Sequence, residues 1–370
     1  MFVEKLTSRI LKSLFVFHED NYDEARFGPL QKDSTLKRLR QKLKGIFRRC
    51  GLYRVEDVFN PGNQRQWEGW VPHFPELNWL YSVFADEQSR NLLVDVIAYR
   101  IMGFHHVRLP LSTPEYWAAK IKNLSGGDGE KIRCSDGHFE LELQDFSSLG
   151  FPVRLFLPPA GHFITFQLEQ YCCPRLGVRV RPGDIVIDAG VCWGDTAMYF
   201  AHKTGPEGRV YGFEFVPENL SILHRNLGLN PELSKRVEIV PHPVWSLSGV
   251  VMGHSCQGPG AKALPEAGEA GSLPTSLSID DLVSSRQIPS VNFIKMDIEG
   301  AEFEALKGAR QTIEKHRPEL AICVYHSNDD FTRLARFVDG LGLGYRFSLG
   351  HFTAHAEETV LYATARHSNV

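Results

Sequence analysis

The sequence predicts an α/β protein: a mostly parallel sheet with an antiparallel last strand, preceded by a mainly helical accessory region. Three observations carry this. Residues 184–196 read as a buried strand, a tight turn with Gly190 and Gly194, and a helix N-terminus. Beyond Gly194, strand and helix patterns alternate, as a parallel sheet requires. The chain then closes on two strand patterns, 345–352 and 359–364, with no room between them for a crossover helix. Such a finish is an antiparallel hairpin added to a parallel sheet.

A chain of 370 residues suggests two units. We place the boundary near 150, giving an accessory, substrate-recognition domain over 1–150 and the nucleotide-type sheet over 151–370. The net charge of −3 argues against nucleic acid as a partner. The seven cysteines form no Cys-x-x-Cys pair, so neither a zinc site nor a redox motif is expected. Their odd number and irregular spacing fit reduced thiols in the cytoplasm. The apolar cluster 10–17 is interrupted by Lys12 and too short to span a bilayer, and no signal peptide is read. A cytoplasmic protein is expected.

In chain order, 36–49 form a basic amphipathic helix with Leu36, Leu39, Leu43 and Phe47 on one face. It offers peripheral contact with anionic head groups or a diphosphate-bearing substrate. A core-packed helix with a solvated far face is the plainer reading. Gly62, Gly69, Pro72 and Pro75 predict an irregular connection carrying Trp67, Trp70, His73, Phe74 and Trp79. Those aromatics suit stacking on a sugar or a small loop-covered core. Helices follow over 86–100 and 116–123, a turn at 126–129, and strands over 139–144 and 151–157. Residues 163–171 are a short helix or strand. Strands are predicted over 209–214, 237–244, 250–254, 291–296 and 319–325, and helices over 196–202, 217–227, 301–315 and 329–341. The Gly-, Pro- and Ser-rich run 255–275 is a surface loop.

The chemistry gathers at strand ends. Asp188, Gly190 and Gly194 form the first site, where glycines let the backbone approach a ligand. Cys192 and Trp193 occupy the turn, and the third glycine of a dinucleotide fingerprint is missing. Asp195 or Thr196 is placed to cap the following helix. Glu214, at the end of the second strand, is placed to accept hydrogen bonds from ribose hydroxyls. Phe215 and Asn219 lie beside it, and Trp245 follows the third strand. Asp297, Glu299 and Glu302 cluster at the end of a later strand, fit for a general base, a cation or a helix cap. His326 and His351 end the next two strands, and Glu358 is placed to orient one of them.

With Asp188-Ala-Gly, Gly194-Asp-Thr, Glu214, Lys295-Met-Asp-Ile-Glu-Gly-Ala-Glu and Glu358-Thr-Val-Leu-Tyr362 in view, the chain resembles the FkbM family of S-adenosylmethionine-dependent methyltransferases. The match runs from about Phe163 to the C-terminus and includes Phe166-Gln-Leu-Glu-Gln-Tyr171. The family's turn usually reads Gly-Ala-Asn, whereas here it reads Gly190-Val191-Cys192. The resemblance implies a class I, Rossmann-like, seven-stranded methyltransferase sheet with a reversed last strand, and methyl transfer to oxygen. It implies S-adenosyl-L-methionine held by Asp188, Gly190, Cys192, Gly194, Asp195, Thr196, Glu214, Phe215, Asn219, Trp245 and Asp297. The chemistry of an alcohol nucleophile asks for a base, and Asp297 or His326 is expected to fill that role, with His351 and Glu299 positioning the acceptor.

The acceptor is expected to be a sugar, glycan or glycolipid precursor; the alternative is a polyketide or other secondary metabolite. A dinucleotide-dependent or nucleotide-binding protein is the third reading, disfavoured by the glycine pattern and the reversed last strand. No metal-specific spacing is present, so no metal is expected, although a cation bridging acceptor hydroxyls to the carboxylates remains a variant. A homo-oligomer is compatible with the sequence.

Overall fold

The computed structural model describes residues 1–30, 59–124, 129–135, 137–159, 161–256, 258–266 and 273–366. The expected basic helix 36–49 lies outside these residues. By contacts the chain forms two compact units. One comprises Met1–Trp117 and His351–Glu358; the other comprises Ala118–Gly350 and Thr359–Val370.

The strands are β1 (Lys131–Arg133), β2 (Glu140–Asp145), β3 (Arg154–Leu157), β4 (Ile185–Ala189), β5 (Arg209–Phe213), β6 (Val237–Val240), β7 (Met252–His254), β8 (Ala263–Pro265), β9 (Phe293–Met296), β10 (Glu319–Cys323), β11 (Arg346–His351) and β12 (Thr359–Thr364). Seven of them form one sheet in the order β11-β12-β10-β9-β4-β5-β6. From β10 to β6 neighbouring strands run parallel, while β12 runs antiparallel to β10. The expected fold class therefore stands: a Rossmann-like methyltransferase sheet with a reversed last strand, and a helical N-terminal region. Every residue of β9, β10 and β12 is buried, the continuous burial of strands covered on both faces. The chain builds β5 and β6 on one side of β4 and, after β6, returns to place β9 on the other, which leaves a crevice at the carboxyl ends of β4 and β9.

Local chemistry sets the helix bounds. Pro217 opens the helix Pro217–Gly228 in its first turn, where the missing N–H is no loss. Ser278 caps the helix Ile279–Ser285 by accepting from the Asp281 amide. The single helix expected over 301–315 is two, Glu302–Lys307 and Arg310–His316. A Cβ on Gly308 would stand 2.2 Å from the Trp245 carbonyl oxygen, so the backbones touch at the break. Asp280 then restarts the chain by accepting from the Gln311 and Thr312 amides.

In the N-terminal unit, the expected aromatic loop is helical: Pro61–Trp70, a single 3₁₀ turn Val71–His73, and Phe74–Val83. Pro61, Pro72 and Pro75 all sit in first turns, so the two prolines read as breakers, Pro72 and Pro75, help to start helices instead. Trp70 is fully buried with Leu77 and Leu80, which makes this segment core. The cluster expected at 10–17 belongs partly to the helix Phe2–Ser13, whose buried Phe2, Leu6 and Ile10 recur every fourth residue. Asp86 caps Glu87–Met102 through the Ser89 amide. The six described cysteines are free. Among the described residues no helix is long and apolar enough to cross a membrane.

Candidate active site

Two groups of side chains meet where β4 and β9 end. Asp188 on β4 stands beside Lys295 on β9 in the parallel register. Lys295 is 1% exposed and Asp188 0%, with Nζ 3.3 Å from Asp188 Oδ1. The same Nζ donates to the carbonyls of Gly190, at 2.6 Å, and Ala189, at 3.2 Å. Burial opposes the ammonium, but Asp188 and Asp297 outweigh it and raise Lys295 above its ordinary range. Asp188 Oδ2 accepts from the Thr196 hydroxyl at 2.7 Å. Strand, turn and helix are thus tied into one charged knot inside the sheet.

The turn above the knot is close to the second strand end. Gly190 has φ +89°, and a Cβ there would lie 2.1 Å from the Asp297 carbonyl oxygen. Gly194 has φ +95°, and its Cβ would meet Leu223 Cδ1 at 2.5 Å. Both glycines are required by protein packing as well as by any ligand. Cys192, between them, holds φ +45° without being glycine, as Glu299 does at φ +58°. Left-handed non-glycine residues are costly and gather at functional sites. Burial pushes the Cys192 thiol well up, so it is a neutral side chain here.

The second group is Asp297, Glu299, Glu302 and His326. Asp297 accepts from the Tyr171 hydroxyl and the Tyr325 hydroxyl, each at 3.1 Å. His326 Nε2 lies 3.6 Å from Asp297 Oδ1 and 3.5 Å from Glu299 Oε1, while Nδ1 lies 3.1 Å from Glu302 Oε1. Glu302 Oε1 also accepts from the Ile298 amide. Burial alone would raise Asp297, but Lys295, then His326 and Tyr171, hold it below the usual carboxylate range. Burial alone would lower His326, but Glu299, Glu302 and Asp297 push it up to about 11. An imidazolium is a poor proton acceptor, which weakens the expectation of His326 as base.

Glu214, at the end of β5, accepts from the Phe215 and Val216 amides through Oε1. Its Oε2 accepts from Asn219 Nδ2 at 3.2 Å. The carboxyl is buried rather than exposed as the sequence suggests, and burial pushes it up.

Residues 181–347 match the family model described as Methyltransferase FkbM domain. A 31-O-demethyl-FK506 methyltransferase FkbM from Streptomyces tacrolimicus is 27% identical over 228 residues, 52% of this chain and 81% of that protein. The chain thus carries a domain that matches FkbM methyltransferases over residues 181–347. The crystal structure of a methyltransferase FkbM from Methylobacillus flagellatus has the same fold, with a TM-score of 0.51 at 21% identity over 90% of this chain and 72% of that one. An FkbM chain is a methyltransferase that uses S-adenosyl-L-methionine.

Within this FkbM domain the expected residues divide. Gly190, Cys192, Asp195, Phe215, Asp297 and Glu299 are half-buried at the strand edge. Asp188 and Thr196 are buried against each other and Lys295, where they brace the turn. The helix Asp195–Lys203 has no side-chain cap: Thr196 bonds Asp188, and Asp195 Oδ2 accepts from Thr165. Asn219 bridges Glu214 and the Gly258 backbone, which makes it a support for Glu214. Trp245 contributes its carbonyl to the Gly308 contact. His351 falls in the N-terminal unit, where Thr353 Oγ1 is 3.4 Å from its Nε2. Burial, His355 and Arg100 push it down to about 3, leaving it neutral. The Glu358 carbonyl accepts from the Phe352 amide across the turn.

Sequence reasoning missed Lys295, Tyr171 and Tyr325. Lys295 had a signal: a lysine inside Phe293-Ile-Lys-Met, an otherwise apolar strand, needs a buried acid. The tyrosines had none, since their convergence on Asp297 arises only from the fold.

Proposed function

We propose that this FkbM chain methylates a hydroxyl group of a polyketide or related secondary metabolite. The Streptomyces relative, named for 31-O-demethyl-FK506, supports that acceptor class over the glycan first expected from the sequence. The aromatic segment 67–79, which suited a sugar or a small core equally, is helical and carries the buried Trp70 and Leu77 of its own unit. The observation that carries the reading is the approach of Gly190 to the Asp297 carbonyl. It sets the cofactor-side turn directly beside the acceptor-side carboxylates.

The described residues fit the cofactor. Glu214 Oε2 has one hydrogen bond among them, so a buried carboxylate oxygen retains acceptor capacity where a ribose would donate. Phe215 would lie against the adenine, and the turn 190–195, with Asp195, would hold the amino-acid end. Bound S-adenosyl-L-methionine supplies a methyl group already activated by its sulfonium. The protein's work is then to hold an oxygen in line behind that carbon and to exclude water. Asp297 and Glu299 accept the hydroxyl's hydrogen bond and aim an oxygen lone pair. Once alkylated, the acceptor oxygen would hold its proton only weakly. Even the low-pKa Asp297 carboxylate then accepts it.

Mass-spectrometric detection of methyl transfer to hydroxylated macrolactones, with free sugars and glycans in parallel, tests the acceptor class. Methylation of the carbohydrates alone would return the reading to glycans. For the chemistry, Asp297→Asn should lower turnover by about 10²-fold or more while cofactor affinity stays within a few-fold. Near-normal turnover with the preferred acceptor would remove Asp297 from this role.

A further inference from the structure

We propose that Asp297, Glu302 and His326 form a binding site for a first-row divalent cation, at the edge where the acceptor hydroxyl docks. Ligand atoms of the three residues all lie within 4.8 Å of one another. That spread matches donors arranged around one ion with bonds of roughly 2.0–2.3 Å. The group is more than a patch of surface acids, because Glu302 is 0% exposed and the His326 side chain 6%.

The second observation is the state of those buried atoms. Among the described residues, Glu302 Oε2 and both His326 ring nitrogens have no partner in hydrogen-bonding geometry. The ring sits at 3.1–3.6 Å from three carboxylates without hydrogen-bonding geometry to any of them. Buried polar atoms are normally satisfied, and those that are not call for an unseen ion or water. Charge points the same way. Lys295 is already paired with Asp188 and two carbonyls. Three carboxylates, Asp297, Glu299 and Glu302, therefore share one imidazole ring, with Lys295 as a further positive neighbour of Asp297.

Two carboxylates and one imidazole suit Mn²⁺, Fe²⁺ or Zn²⁺ better than Ca²⁺, which takes six to eight oxygens. Glu302 closes the inner side of the site, whereas the Asp297 and Glu299 side chains are 21% and 23% exposed. Open coordination positions would face the crevice there, and an acceptor oxygen occupying one would be fixed beside the turn at Gly190. The ion's catalytic part rests on the hydroxyl-methylation reading; its binding does not. Sequence spacing alone hides such a site, since its ligands come from the ends of two different strands.

The test is titration of the chelator-treated full chain with Mn²⁺, followed by electron paramagnetic resonance, with cofactor binding measured separately by calorimetry. One Mn²⁺ per chain, with affinity at least tenfold weaker in Asp297→Asn and in His326→Gln, is the expected result. No saturable Mn²⁺, or unchanged affinity in both variants, overturns the site and leaves His326 as a buried imidazolium. Thermal unfolding checks each variant, and Asp297→Asn decides alone if His326→Gln does not fold. Full methyl transfer in excess EDTA would remove the ion from the reaction without touching the proposed acceptor. Mn²⁺ bound in the absence of transfer to any hydroxyl would keep the site and defeat the acceptor reading.

Discussion

Asp188 with Lys295, and Asp297 with Glu299, Glu302 and His326, occupy neighbouring strand ends, yet they are built on opposite principles. The first is closed: both side chains are at most 1% exposed, and the ammonium has an acid and two carbonyls around it. The second is half-open, acid-rich and contains buried atoms without partners. Among the described residues both groups hold a buried carboxylate oxygen with no hydrogen bond, Asp188 Oδ1 in the first and Glu302 Oε2 in the second, but Asp188 Oδ1 has the Lys295 ammonium 3.3 Å away. Burial of charge is thus no guide to function by itself; what separates the two is that the first is sealed from solvent and the second opens through Asp297 and Glu299.

The largest effect should come from breaking the closed group. Lys295→Met leaves Asp188 buried without its counter-charge, and such a loss costs about 3–5 kcal/mol. Urea unfolding should show that loss as a lower midpoint at unchanged slope. A change under 1 kcal/mol would mean that Asp188 is buried as a neutral acid and that the group is not an ion pair. Thr196→Val is a milder version. It removes the hydroxyl donated to Asp188 Oδ2 and keeps the shape, so about 1–3 kcal/mol should be lost. Stability equal to the parent would show that the helix start, not this bond, holds the turn.

The contrast also explains how much could be read from the chain. The sheet was legible because β9, β10 and β12 are mostly apolar runs, interrupted by Lys295 in β9 and opened by Glu319 in β10, and because too few residues separate β11 from β12 for a helix. The acid cluster was legible because Asp297 and Glu299 follow a buried strand directly. The state of each acid was not. Glu214 reads as an exposed acid until the Phe215 and Val216 amides fold back onto it, and Asp188 reads as a ligand until Lys295 arrives from β9. These are contacts between strands far apart in sequence, and no local pattern encodes them. The prolines at 72 and 75 misled for a local reason: the same residue ends one helix or begins the next, and only the partner residues of the first turn tell which.

Glu214 stands between the two groups and offers the finest discrimination. It is buried like Asp188, yet its Oε2 has a single bond, to Asn219. If that oxygen receives the cofactor ribose, Glu214→Gln should weaken S-adenosyl-L-methionine binding about tenfold, or about 1.4 kcal/mol. The amide keeps an acceptor for the Phe215 and Val216 amides but turns an NH₂ group toward the donor hydroxyls. Calorimetry with S-adenosylhomocysteine measures the effect without turnover. An unchanged affinity would place Glu214 with Asp188, as a buried acid that braces its turn.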